Sequence, residues 1–176
     1  MGGLRLFDTL CDSLHRDWLV KNEHKILMNV FSILKFTDTA STINTLLDCL
    51  SMLRKLLSLC HGSSKHIDTM PVDSLEEVDD VLLDILISST SHDAYLIRDI
   101  SKIYLEEMSK LRGVTVANIF SKRNEYINNL INFECMSEDT LHLKFGMLSF
   151  VSYLLESKSN VVPINDNLLY TLMNII

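Results

Sequence analysis

At 176 residues, 47% of them apolar and 22% charged, the chain is long enough to bury a core and too apolar for intrinsic disorder. Five glycines and two prolines are too few for the closely spaced turns of a β-sandwich or barrel. A net charge of −7 argues against a broad nucleic-acid-binding surface, which rests on basic patches.

Leu4–Leu19 reads as a first helix, with Leu6, Leu10, Leu14 and Trp18 on one stripe at four-residue spacing. Met1–Leu10 lacks the basic-then-apolar layout of a signal peptide. Met1-Gly2-Gly3 fails as a myristoylation start because Leu6 stands where Ser or Thr is wanted. A second helix spans Asn22–Phe36, with Ile26, Val30, Ile33 and Leu34 inward. The third, Ser41–Cys60, carries Ile43, Leu46, Leu47, Leu50, Leu53, Leu57 and Cys60, a face wide enough to need more than one neighbour. His61–Val72, with Gly62, Ser63, Ser64 and Pro71, is the one real loop.

Asp73 or Ser74 starts a fourth helix, Ser74 with Glu77 making a capping box ahead of Leu75, Val78, Leu82, Ile85 and Leu86. A fifth begins near Ser91 or His92 and places Ile97, Ile100, Tyr104, Met108 and Leu111 at steps of three and four. Asp99 with Lys102, and Glu106 with Lys110, are set to pair on its wet face. Lys110 and Arg112 followed by Gly113 form a stop signal, and Thr115 caps a sixth helix with Val116, Ile119, Phe120, Ile127, Leu130 and Ile131 inward. Ser137–Asp139 opens a seventh, with Leu141, Phe145, Leu148, Ser152 and Leu155 on a face and Gly146 permitting close packing. Pro163 lies at the start of a last helix, and the apolar end at Ile176 reads as cut. No run reaches the ~20 apolar residues of a membrane span.

Helix pairs starting near residues 4, 41, 92 and 139 approach the spacing of HEAT-type repeats. The fold expected is therefore all-α: stacked antiparallel helix pairs, a fragment of a HEAT- or armadillo-like solenoid, with a compact helical bundle as the alternative. Its parts are helix pairs over 1–60, a loop over 61–73, central helices over 74–136 and a C-terminal pair over 137–176.

Chemistry-bearing patterns are sparse. Cys11, Cys49, Cys60 and Cys135 form no C-x-x-C pair and read as buried reduced thiols of an intracellular protein. Cys60, His61, His66 and Asp68 are zinc-ligand types without zinc-ligand spacing. Glu23-His24 and His92-Asp93 are lone neighbours without a nucleophile, and there is no phosphate loop, H-E-x-x-H, H-R-D or D-F-G. No catalytic residue, cofactor or metal is expected. Lys110, Arg112, Lys122 and Arg123 flank the Gly113 turn, either as a basic contact patch or as solvated helix ends.

Tyr104-Leu105-Glu106-Glu107, then Lys110, Ile119-Phe120-Ser121 and Ile127, resembles the UME domain, a helical segment of the ATR-type checkpoint kinases. Leu82-Leu83-Asp84-Ile85-Leu86 with Ser88-Ser89 is similar to that family's preceding leucine and serine segment. The gap between the two is longer here, and Ile103 replaces the Ala often found before the tyrosine, so either Tyr95 or Tyr104 is the equivalent. The resemblance covers roughly Asp80–Phe133. It implies a non-catalytic stretch of the α-solenoid of a nuclear serine/threonine protein kinase that signals DNA damage. Such a stretch contacts a kinase-associated subunit and the rest of a larger chain, with Tyr104, Phe120 and Ile127 as packing residues. The alternatives are an unrelated HEAT or armadillo adaptor and a Bcl-2-like helical interaction domain of viral type.

Overall fold

The structure, a computed structural model, describes residues 6, 9–35, 42–62, 79–136 and 141–158. Among these the regular elements are helices: α1 (Arg16–Lys35), α2 (Thr42–His61), α3 (Asp80–Ser89), α4 (Tyr95–Leu111), α5 (Val116–Lys122), α6 (Asn124–Met136) and α7 (Leu141–Glu156). No strand occurs among the described residues.

The helices pair and stack. Lys55 of α2 reaches Asp12 just before α1, and Arg16 at the start of α1 reaches the Cys60 carbonyl at the end of α2, so the two run antiparallel. α3 packs on α4, and α6 on α7. The pairs then meet like on like: α1 against α3 and α3 against α6 in one layer, α2 against α4 in the other. Lys102 Nζ donates to Ser149 Oγ at 2.9 Å and joins α4 to α7 in that second layer. The main core runs between the layers, from Leu27 and Val30 through Leu86, Tyr104 and Phe120 to Phe150 and Leu154, and a smaller cluster gathers Cys11, Leu19, Leu56 and Cys60. Two ranks of helices sharing a continuous core are the geometry of a solenoid.

The expected pairing was shifted by one helix. Leu4–Leu19 is not one helix: a turn at 12–14 separates a helical stretch at 9–11 from α1. Ser13 Oγ bonds back to the Leu10 carbonyl there and competes with helix propagation. Leu6, Leu10 and Trp18 are 60%, 46% and 48% exposed, and Cys11 and Leu19 are the buried residues. α1 is continuous through Asn22, whose side chain bonds the Trp18 carbonyl. The first pair is therefore α1 with α2, and the second is α3 with α4. The broad face of α2 does meet both α1 and α4, although Leu47 and, on α1, Ile33 face outward.

α3 begins at Asp80, capped by Asp79, whose carboxylate accepts the Val81 N–H at 2.9 Å. The Ser74–Glu77 capping box, His66, Asp68 and Pro163 lie outside the described residues. α4 starts at Tyr95, later than the pattern suggests, because residues 90–94 form a corner. The Thr90 and Ser91 hydroxyls bond back to the Ile87 and Ser88 carbonyls, and Arg98 clamps the His92 and Asp93 carbonyls. Of the two expected ion pairs on α4, neither forms as drawn: Lys102 turns to Ser149, and Lys110 takes Glu107 at 2.8 Å. Leu111, expected inward, is exposed.

Past α4, Gly113 is left-handed at φ 64°. Its N–H bonds the Lys110 carbonyl, and the Val114 N–H bonds Ser109, a Schellman closure. Thr115 caps α5 by accepting from Asn118. The single helix expected beyond it breaks at Arg123 into α5 and α6. Gly146 of α7 lies against the 90–94 corner: a Cβ there would stand 2.0 Å from the Ser91 carbonyl oxygen. Gly146→Ala is thus expected to lower stability by about 1–3 kcal/mol through overpacking, and Gly113→Val by about 1–2 kcal/mol through its left-handed backbone. Thermal melts in which Gly146→Ala cost nothing would place α7 further from the corner.

Candidate functional site

The most developed polar constellation is buried where α1, α2 and α4 meet. Each member lies in phase with an apolar stripe. Glu23 follows Leu19 and precedes Leu27 at steps of four, His61 follows Leu53 and Leu57, and Arg112 follows Tyr104 and Met108. Helical periodicity therefore carries all three into the core with their neighbours.

There they satisfy one another. Glu23 Oε1 accepts from the Tyr104 hydroxyl and from His61 Nε2 at 2.8 Å. Arg112 Nε donates to His61 Nδ1 at 3.0 Å. Because Arg112 can only donate, His61 Nδ1 must accept, which leaves the proton on Nε2 to serve Glu23. A neutral imidazole thus links a buried carboxylate to a buried guanidinium, and the two charges offset each other.

This arrangement positions helices and does not activate a nucleophile. Burial, with the Glu23 carboxylate adding to it, pushes the Cys60 thiol well above its usual range. The same two causes, burial first, raise Tyr104. Burial with Asp48 pushes Cys49 up to about 11. Thiols held protonated are poor nucleophiles and poor metal ligands. Among the described residues no three His, Cys, Asp or Glu side chains are grouped to hold a metal.

Lys110, Arg112, Lys122 and Arg123 are not brought together. Lys110 is exposed beside Glu107, while Arg112 is drawn inside by His61. Arg123 grips Asp84 in a fork, Nε to Oδ1 at 2.7 Å and Nη2 to Oδ2 at 2.6 Å, and also reaches Asp80. Lys122 stands 3.2 Å from Asp80. The last two therefore tie the α5–α6 break to α3, on acids that face them from the adjacent helix. Tyr104, Phe120 and Ile127 are all buried in the main core. Glu23 and His24 part company, His24 turning to Asp79 at 3.3 Å. His92 and Asp93 belong to the corner before α4.

Two surface features remain. On α7 the face predicted from Phe145, Leu148, Ser152 and Leu155 does form a stripe, but it points outward: Phe145 is 51% and Leu155 60% exposed. The buried face holds Met147, Phe150, Val151 and Leu154 instead. Beside the buried constellation, a hollow of about 350 Å³ is lined by Arg16, Asp17, Val20, Lys21, Cys60 and Arg112. No described helix is long and apolar enough to cross a membrane.

Comparison with known proteins adds one match. The family described as the Tra1 HEAT repeat ring region matches residues 1–176, the whole chain. No curated protein and no solved structure matches.

Proposed function

We propose, from the premise that this chain belongs to the family of the Tra1 HEAT repeat ring region, that it works as a non-catalytic scaffold whose α7 outer face makes protein contacts. Tra1 is a member of the phosphatidylinositol-kinase-related proteins, and its HEAT repeats are a non-catalytic part of them. HEAT repeat regions typically mediate protein interactions. The observation that carries the reading is the α7 stripe. Phe145 and Leu155 keep the spacing of a packing face, with half-buried Leu148 between them, and yet stand exposed among the described residues. The occupant is another segment of the same large protein or its associated subunit.

A photo-crosslinkable residue at position 145 of the protein in its native cells tests this. Adducts to a neighbouring segment or a stably bound subunit are the expected result. Phe145→Asp and Leu155→Asp should abolish those adducts while leaving the melting temperature of the isolated chain nearly unchanged. A sharp loss of stability in these variants would put the stripe inside the chain's own core and sink the proposal.

A narrower reading assigns the chain to a nuclear DNA-damage checkpoint serine/threonine kinase of the ATR type. In its favour, Tyr104, Phe120 and Ile127, which carry the resemblance to the UME segment, are all buried packing residues. On that reading, destabilising this segment impairs checkpoint phosphorylation after replication stalling. Intact checkpoint signalling in cells carrying such a variant would remove the narrower reading and leave the scaffold.

A further inference from the structure

The outer side of the second layer carries the seam between α4 and α7. Gly146 lies against the corner at the start of α4, Lys102 Nζ donates to Ser149 Oγ, and the Tyr153 hydroxyl reaches the Lys102 carbonyl at 3.5 Å. The two helices therefore run side by side in the same direction, and packed helices leave a shallow groove along the outside of their contact.

The walls of this groove are apolar and acidic. On α4, Tyr95, Asp99, Ile103 and Glu106 share one face at steps of four, four and three, with Tyr95 61% and Ile103 42% exposed. α7 adds exposed Phe145 and Leu155 and, beside them, Glu156. Burial raises the Tyr153 phenol well above its usual range, and Glu106 and then Glu156 raise it further. The two carboxylates thus stand near one point of the seam, one from each helix.

The neighbouring cations are already committed. Lys102 is held by Ser149 and lies over the Tyr153 ring at 5.3 Å, Arg98 donates to the His92 and Asp93 carbonyls, and Lys110 takes Glu107. Among the described residues, Asp99, Glu106 and Glu156 make no ion pair, and Glu156 accepts from Ser152 within its own helix. Residues 159–176, which follow α7 in the sequence, contain one Asp and no Lys, Arg or His, so they bring no counter-charge.

We infer that this seam docks a basic amphipathic helix from outside the chain. Its apolar strip lies on Tyr95, Ile103 and Phe145, and its Lys or Arg side chains meet Asp99, Glu106 and Glu156. The inference rests on the scaffold reading and gives the α7 contact its partner's chemistry. A helix fits because both walls are helices whose backbone groups are spent internally. Such a groove offers no edge for an extended segment, so the docking segment has to satisfy its own backbone. The three carboxylates select the sign of the partner and steer its approach more than they add affinity.

A photo-crosslinkable residue at position 103, in the protein in its native cells, reports on the α4 wall, as the one at position 145 does on the α7 wall. Adducts from both positions to one peptide are expected, identified by mass spectrometry and carrying Lys or Arg at helical spacing beside apolar residues. Asp99→Lys with Glu106→Lys should lower the yield from position 103 about tenfold. Asp99→Asn with Glu106→Gln should lower it in the same direction by less. Asp17→Lys with Glu125→Lys, the same change of charge on α1 and α6, should leave it unchanged. All four acids are exposed, so the melting temperature of the isolated chain should hold in each variant. Adducts to an acidic or uncharged peptide, residues 159–176 included, or a yield unmoved by the variants at 99 and 106, would overturn the inference. Adducts at 145 with none at 103 would overturn it and leave the scaffold reading standing, whereas adducts at neither position would remove both.

Discussion

Phe120→Ala should lower the stability of the chain by about 3–5 kcal/mol, the usual cost of removing a fully buried phenylalanine. Phe120 is completely buried, and its ring meets Phe150 and Tyr153 edge to face, at centroid distances of 6.4 and 5.7 Å. It thereby joins the short α5 to α7, so its loss opens the seam that closes the third pair. Lys122→Ala, two residues on, should cost far less. Its ammonium pairs with Asp80, which is more than half exposed, and such pairs contribute about 0–1 kcal/mol. Denaturant melts of the two variants check the ranking. Equal losses would mean that α5 is rotated from the phase described.

Glu23→Ala should be the other severe change, again about 3–5 kcal/mol, although no apolar group is lost. Removing the carboxylate strands the Tyr104 hydroxyl and His61 Nε2 in the core and takes away the acceptor that orients His61 toward Arg112. Tyr104→Phe removes one donor and leaves the carboxylate bonded to His61, so about 1 kcal/mol is expected. A double-mutant cycle between the two positions should show a coupling of about 0.5–3 kcal/mol. Additive losses would mean that the hydroxyl and the carboxylate do not share a bond. Replacing the whole set by apolar residues of matched volume need not destabilise at all. The set fixes how α1, α2 and α4 register, which an oily contact of the same volume would leave less defined.

Helix content and much of the burial pattern were legible from spacing alone. Ile97, Ile100, Tyr104 and Met108 face the core as their steps of three and four require, and Gly113 and Thr115 close α4 and open α5 as their chemistry dictates. Spacing shows that a face exists without showing what lies opposite. The α7 stripe illustrates this: the pattern is present, but Met147, Phe150 and Leu154 form a second apolar face, and the packing of Phe120 on Phe150 selects that one. The pair boundaries were lost for a local reason, the turn at 12–14, where an apolar four-step pattern runs across a break made by serine and aspartate. Glu23, His61 and Arg112 were each visible as a polar residue on an apolar stripe, which is the signal of a buried polar group. Their mutual partnership was not visible, because residues 38 and 51 positions apart are joined only by the stacking of α1, α2 and α4. The basic residues near Gly113 failed to gather for the complementary reason. Asp80 and Asp84 on α3 face Lys122 and Arg123, and His61 draws Arg112 inward.

The order of stacking is most directly tested by the distance between α2 and α7. α4 lies between them, packed on α2 through the core and joined to α7 by Lys102 and Ser149. Nitroxides carried on p-acetylphenylalanine at the exposed positions 54 and 152 leave the native cysteines untouched. With packed helix axes about 8–10 Å apart, two intervals place α2 and α7 roughly 16–20 Å apart, and the dipolar EPR distance distribution should centre there or beyond. A distribution centred near about 10 Å would put α7 directly against α2, as in a closed bundle, and would contradict the stack of helix pairs.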